Sequence, residues 1–196
     1  MDGGSAAAVL IDSMIDPYSA RPSPDGKWLV FASYGTTGRS TDLAYVPLSG
    51  VQKPKTIATM PGFQYGPTVS LDGKWLLHAN TGSGRAELYV RAFPEAGAPV
   101  QISSSGGAEA LWGRDGHTVF YRWGRDVMVA HLAFNPAPSV VAVSKLFTGD
   151  FLTDPGYGQW DVAADGRHFL MLQNVDRSEE TILIYNWGDE LRRGWK

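Results

Sequence analysis

Ser70-Leu71-Asp72-Gly73-Lys74-Trp75-Leu76-Leu77 decides the fold, because it occurs four times in altered form. The other copies are Ser23-Pro24-Asp25-Gly26-Lys27-Trp28-Leu29-Val30, Gly113-Arg114-Asp115-Gly116-His117-Thr118-Val119-Phe120 and Ala163-Ala164-Asp165-Gly166-Arg167-His168-Phe169-Leu170. Asp-Gly between two extended runs predicts a hairpin, here with a type I′ turn in which both central residues take positive φ. The Asp positions are spaced by 47, 43 and 50 residues. A hairpin recurring at that period predicts the blades of a β-propeller.

Each unit repeats the same parts. A first strand precedes Asp-Gly, as in Tyr65 to Ser70. Second strands follow at Lys27 to Ser33, Lys74 to Asn80, His117 to Trp123 and His168 to Gln173. Third strands, rich in β-formers, are expected at Asp42 to Leu48, Glu87 to Phe93, Asp126 to Phe134 and Thr181 to Trp187. Fourth strands close three units at Lys55 to Met60, Pro99 to Ser104 and Ser144 to Thr148. The expected architecture is all-β, a propeller of about four four-stranded blades. Residues 1–14 read as a leader with Ala6 to Ile11 as a candidate closing strand. Residues 15–196 read as the propeller segment, with blades at about 15–60, 61–105, 106–150 and 155–190. The charged tail after Trp187 reads as a short helical turn.

Composition limits the chemistry. The 196 residues carry a net charge of −3, which gives no support for nucleic-acid binding, and no apolar run is long enough for membrane insertion. There is no Cys, so disulfides and thiolate metal sites are excluded. The sequence holds no kinase glycine loop, His-Arg-Asp or Asp-Phe-Gly element, no G-x-S-x-G elbow, no phosphate loop and no H-E-x-x-H zinc site. Gly82-Ser83-Gly84-Arg85 reads as a turn between strands. The four histidines do not cluster, so no metal and no cofactor is expected. By repeat alignment His117 is exposed, His168 packs in the place of Trp28 and Trp75, and His78 is semi-buried. Trp28, Trp75, Phe120 and Phe169 should pack blade on blade.

The innermost strand of each blade lines the central channel. Six residues before each Asp stand Ser19, Gly66, Glu109 and Gln159; four before stand Arg21, Thr68, Leu111 and Asp161. Strict alternation puts these two sets on one face. Tyr18, Tyr65 and Tyr157 sit at the mouth of the same strands. The candidate binding set is therefore Tyr18, Arg21, Tyr65, Thr68, Glu109, Tyr157, Gln159 and Asp161, with no catalytic residue assigned. The plainer alternative is that these groups are solvated or bond neighbouring blades.

The units resemble the β-propeller repeats of the TolB-like, WD40-like class, whose recurrent element is Ser-Pro-Asp-Gly-Lys/Arg before an apolar strand. Ser23 to Trp28 matches in full. Glu87 to Pro94, Val100 to Ser103, Gly106-Gly107, Leu111 to Gly116, Val119 to Arg122 and Ile182 to Trp187 with Leu191 are similar to one subgroup. That subgroup is the C-terminal propeller of bacterial serine/threonine kinases and winged-helix regulators. The resemblance spans about 15–196 and implies a non-catalytic sensor or interaction module of a bacterial signalling protein, with a protein or peptide partner or a small ligand at the channel. Any kinase activity would lie outside this chain. Leu71, Arg114 and Ala164 depart from the repeat's Pro, and four blades fall short of the six or more usual in the family. The chain is thus expected to be part of a longer propeller. Its compartment stays open: cytoplasmic, or extracytoplasmic if cut from a membrane-anchored kinase. Two alternatives remain. One is a propeller hydrolase or lyase with carboxylates such as Glu109 and Asp161 in the channel. The other is a structural module that completes a ring as a homo-oligomer.

Overall fold

A computed structural model describes residues 17–34, 40–50, 53–95, 97–154, 158–175 and 178–184. These form four antiparallel sheets, each a meander in chain order. The first holds β1 (Pro17–Pro22), β2 (Trp28–Tyr34), β3 (Thr41–Pro47) and β4 (Lys55–Ala58). The second holds β5 (Gln64–Val69), β6 (Trp75–Asn80), β7 (Glu87–Ala92) and β8 (Val100–Gln101). The third holds β9 (Ala108–Trp112), β10 (Thr118–Trp123), β11 (Asp126–Phe134) and β12 (Pro138–Thr148). The last has three strands, β13 (Trp160–Val162), β14 (Phe169–Val175) and β15 (Ser178–Ile184). The all-β propeller architecture expected from the repeat is what the chain adopts. The candidate closing strand at Ala6 to Ile11 and the tail after Trp187 lie outside the described residues.

Several strands differ in extent from the sequence reading, three of them most. β8 is only two residues long, β12 runs eleven residues where five were expected, and β15 begins three residues before the expected Thr181, with its described part reaching Ile184. In β12 the added stretch, Pro138 to Val143, continues β-branched past the expected start.

The Asp-Gly hairpins differ from a type I′ turn. Gly26, Gly73, Gly116 and Gly166 take positive φ, but no aspartate of the motif does. Gly73 N–H instead donates to Ser70 O, and Gly26 N–H to Ser23 O, closing turns around the two residues before each glycine. The glycine then takes the left-handed position that ends a longer hairpin loop. Each aspartate faces back across its turn. Asp72 Oδ1 accepts from Ser70 Oγ at 2.6 Å and from Lys74 N–H at 3.1 Å, while Trp75 N–H donates to Ser70 Oγ at 3.0 Å. Asp25 repeats this arrangement with Ser23, Lys27 and Trp28. In the third and fourth copies Gly113 and Ala163 replace that serine. Their aspartates find donors on the far side of the turn, Thr118 Oγ1 for Asp115 and His168 Nδ1 for Asp165. His168 therefore does not pack as Trp28 and Trp75 do; the carboxylate draws its ring back onto the turn.

The core lies between blades. Val30, Leu43 and Leu76 join the first two sheets, with Trp28 edge-on to Phe93 at 6.2 Å. Leu77, Val90, Val119 and Leu132 join the second and third, with Trp75 against Phe134 at 4.8 Å. Phe120, Phe147, Trp160 and Phe169 join the third and fourth, with Phe120 edge-on to Phe169 at 5.5 Å. The repeated aromatics of the second strands are thus blade-to-blade contacts, at about 0.5–1.5 kcal/mol per ring pair beyond the area buried.

Candidate functional site

The inner strands carry a defect that alternation does not foresee. On β1, Tyr18 and Arg21 pair with Ala32 and Val30 of β2. On β5, Tyr65 and Thr68 pair with Ala79 and Leu77 of β6. On β9, Ala108 and Leu111 pair with Arg122 and Phe120 of β10. Each inner strand spends three residues against two on its partner, a β-bulge repeated in three blades. Ser19, Gly66 and Glu109 occupy the bulge with φ of 53°, 60° and 50°. One extra residue reverses the facing of everything before it. In these three blades the residues seven and four before the Asp now share a face, and those six before sit in the bulge. The sequence reading of a single polar face built from both sets is corrected accordingly.

Four members of the expected binding set are therefore divided between two separate clefts. Tyr65 and Glu109 line a cleft of about 610 Å³ at the end where β10 turns into β11. Thr68 and Asp161 line a second one, of about 300 Å³, at the Asp-Gly end, with Leu71, Leu111 and Arg114. Arg21 reaches across from the first blade: its Nη2 lies 2.8 Å from where a Cβ on Gly158 would stand, just before Gln159. Tyr18 seals the first two blades, with its hydroxyl donating to Gln64 O at 3.1 Å and its ring stacked on Tyr34 at 5.1 Å. Tyr157 lies outside the described residues. Glu109 and Asp161 line different clefts.

The larger cleft has a built floor. The Glu109 side chain is only 2% exposed and stands 3.9 Å from Arg122 Nη1, which is as deeply buried. Burial raises the Glu109 carboxyl above the usual range, against the attraction of Arg122 and backbone N–H groups of Gln159 and Asp154. Arg122 is pinned from the other side. Its Nη1 and Nη2 donate to Leu152 O and Phe151 O, and the guanidinium lies 5.8 Å from the Phe151 ring centre. Burial of Tyr65, and then the charges around it, push its hydroxyl up to about 12, so it stays a neutral donor at ordinary pH. At the rim Trp123 is 41% exposed, its ring over Gly106, and Arg125 pairs with Asp150.

Of the residues expected from the sequence, Tyr65 and Glu109 line this cleft; Arg122, Trp123 and Phe151 line it as well and were not among them. A signal for Arg122 existed: it is a charged residue inside the apolar run Val119-Phe120-Tyr121-Arg122-Trp123, and such residues are buried only when paired. Among the described residues no group of three or more His, Asp or Glu is placed to hold a metal ion.

No protein-family model matches this chain, and no curated protein matches it by sequence. Solved structures do. TolB from Acinetobacter baumannii superimposes with a TM-score of 0.67 at 18% identity, over 87% of this chain and 41% of that one. An oligogalacturonate lyase in complex with manganese gives 0.66 at 10% identity, over 93% and 54%. A puromycin-hydrolyzing peptidase from Mycobacterium tuberculosis gives 0.61 at 16% identity, over 85% and 29%. The class of fold is thereby defined: the chain folds as a β-propeller, like TolB and the enzymes above. It spans about half or less of the length of these three structures.

Proposed function

We propose that this chain is a non-catalytic binding module and that the cleft beneath Trp123 receives a peptide segment of a protein partner. The observation that supports this most is the make-up of the cleft. Its ionised groups are already matched in pairs, Glu109 with Arg122 and Arg125 with Asp150. What remains to meet a ligand is aromatic and neutral: Trp123, Tyr65 and Phe151. Aromatic anchors with a polar rim suit peptide recognition, where rings supply contact area at low entropic cost. Glu109, pinned by its neighbours and buried, serves as scaffold rather than as an acid or base. The proposed role extends to the sensing part of a bacterial signalling protein through the sequence resemblance drawn from Glu87 to Pro94 and Leu111 to Gly116, while the solved structures the chain superimposes on are TolB and enzymes of the same fold.

The test is selection of random displayed peptides on the intact chain, repeated on Trp123→Ala. Peptides that bind the first and lose tenfold or more on the second support the reading. Peptides indifferent to Trp123, or none at all, overturn it. So would turnover of oligogalacturonate or of a peptidyl ester that Glu109→Gln abolishes.

A further inference from the structure

The outer edge of the third blade breaks the usual rule for edge strands. β12 ends the sheet order β12-β11-β10-β9, so its outer backbone groups have no partner strand among the described residues. Seven consecutive residues, Ser139 to Lys145, are exposed, on both faces of the strand. Val140, Val141 and Val143 are 41%, 67% and 44% exposed. An edge strand normally carries charge or proline to repel another chain. Here Pro138 and Lys145 stand only at the two ends of the stretch, and nothing between them is charged. Lys145 is also folded back onto its own sheet, with Nζ 3.6 Å from Asp126.

The sequence of this edge indicates what fits it. Ser139-Val140-Val141-Ala142-Val143-Ser144 reads almost the same in both directions. An isologous contact requires such self-complementarity, because each residue must suit its symmetry mate. We propose that β12 is a dimerisation edge, on which two copies pair antiparallel about a two-fold axis between Val141 and Ala142. Val140 of one copy then stands opposite Val143 of the other, Ser139 opposite Ser144, and Lys145 opposite Pro138, so no charge meets its like. Cross-strand β-branched pairs and the free ladder groups hold the contact. The bulge at Val141, between the pairs His131↔Ala142 and Leu132↔Val140, gives both edges the same twist at the axis. Six residues a side make a small interface, so association is weak and depends on concentration. This surface faces away from the channel cleft and does not depend on what the cleft binds.

Light scattering on a sizing column, from micromolar to near-millimolar chain, tests the proposal. The mass is expected to rise from the 21.3 kDa of one copy toward twice that value. Val141→Lys, placed at a residue already 67% exposed, is expected to hold the monomer mass throughout with an unchanged melting temperature. As the chain has no Cys, Val140→Cys with Val143→Cys adds a clean reporter, expected to cross-link two copies on mild oxidation. A wild-type mass that never rises overturns the proposal. So does a dimer that survives Val141→Lys, which would place the contact elsewhere on the chain.

Discussion

Glu109 is a residue whose backbone and side chain are both in costly states. It holds φ of 50°, and its carboxyl is buried 3.9 Å from Arg122. A non-glycine residue in that backbone region costs of order 1–3 kcal/mol and persists where its surroundings hold it. What holds Glu109 is Arg122, fixed in turn by the carbonyls of Phe151 and Leu152. The two partners are therefore unequal. Arg122→Met leaves a buried carboxyl without its cation and two carbonyls without a donor, and is expected to cost about 3–5 kcal/mol. Glu109→Gln keeps the shape and leaves Arg122 its carbonyl acceptors, so about 1–2 kcal/mol is expected. Urea unfolding midpoints of the two variants check this; equal losses would mean that the pair, not the arginine's carbonyl contacts, carries the floor of the cleft. Glu109 was legible in the sequence as a channel residue through its offset from Asp115. Its burial was not, because the bulge that turns it aside leaves no mark in composition: the same place holds Ser19 and Gly66.

At the scale of the element, the Asp-Gly hairpin shows one function met by two sets of residues. In the first two copies a serine before the turn satisfies the aspartate and also accepts from a strand N–H. In the third that serine is Gly113, and Thr118 from the following strand donates instead. The repeat was legible because Asp-Gly is kept at all four places; the exchange of donors was not, because Thr118 occupies a position that holds Trp28 and Trp75 elsewhere. Ser70→Ala and Thr118→Val should thus cost similar amounts, about 1–2 kcal/mol each, since the first takes a donor from Asp72 Oδ1 and the acceptor from Trp75 N–H, and the second takes the donor from Asp115 Oδ2. Gly73→Ala should cost about 1 kcal/mol, because φ there is 74° and the added Cβ meets strain rather than crowding. Thermal melts of the three variants decide it. A neutral Thr118→Val would mean that the third hairpin relies on its backbone bonds alone.

At the scale of the molecule, the interior of the second blade sets how the fold responds to acid. His78 is fully buried, its Nδ1 3.3 Å from Ala79 O and its ring stacked on Tyr89. Its Nε2 has no protein partner, and the positive charge of Arg91 lies near enough to oppose protonation. Burial first, and then that charge, push the imidazole down to about 4 from 6.5. The unfolded chain takes up this proton near pH 6.5 while the folded one refuses it, so stability falls as pH drops from about 6.5 to about 4. The full loss over that window is about 3 kcal/mol, at 1.36 kcal/mol for each unit. The hairpin aspartates act lower. Asp25, Asp72, Asp115 and Asp165 are held below the ordinary carboxyl value of 3.8, so their contribution stands above that value and is lost only as pH falls beneath it. Acid unfolding should therefore proceed in two stages, first through one histidine and then through the repeat. His78→Phe keeps a ring against Tyr89 and removes the titration. The unfolding free energy of the wild type should be lower at pH 5 than at pH 7 by about 2 kcal/mol, and that of His78→Phe should be nearly equal at the two values. An equal drop in both proteins would move the acid sensitivity away from the blade interior and onto groups at the surface.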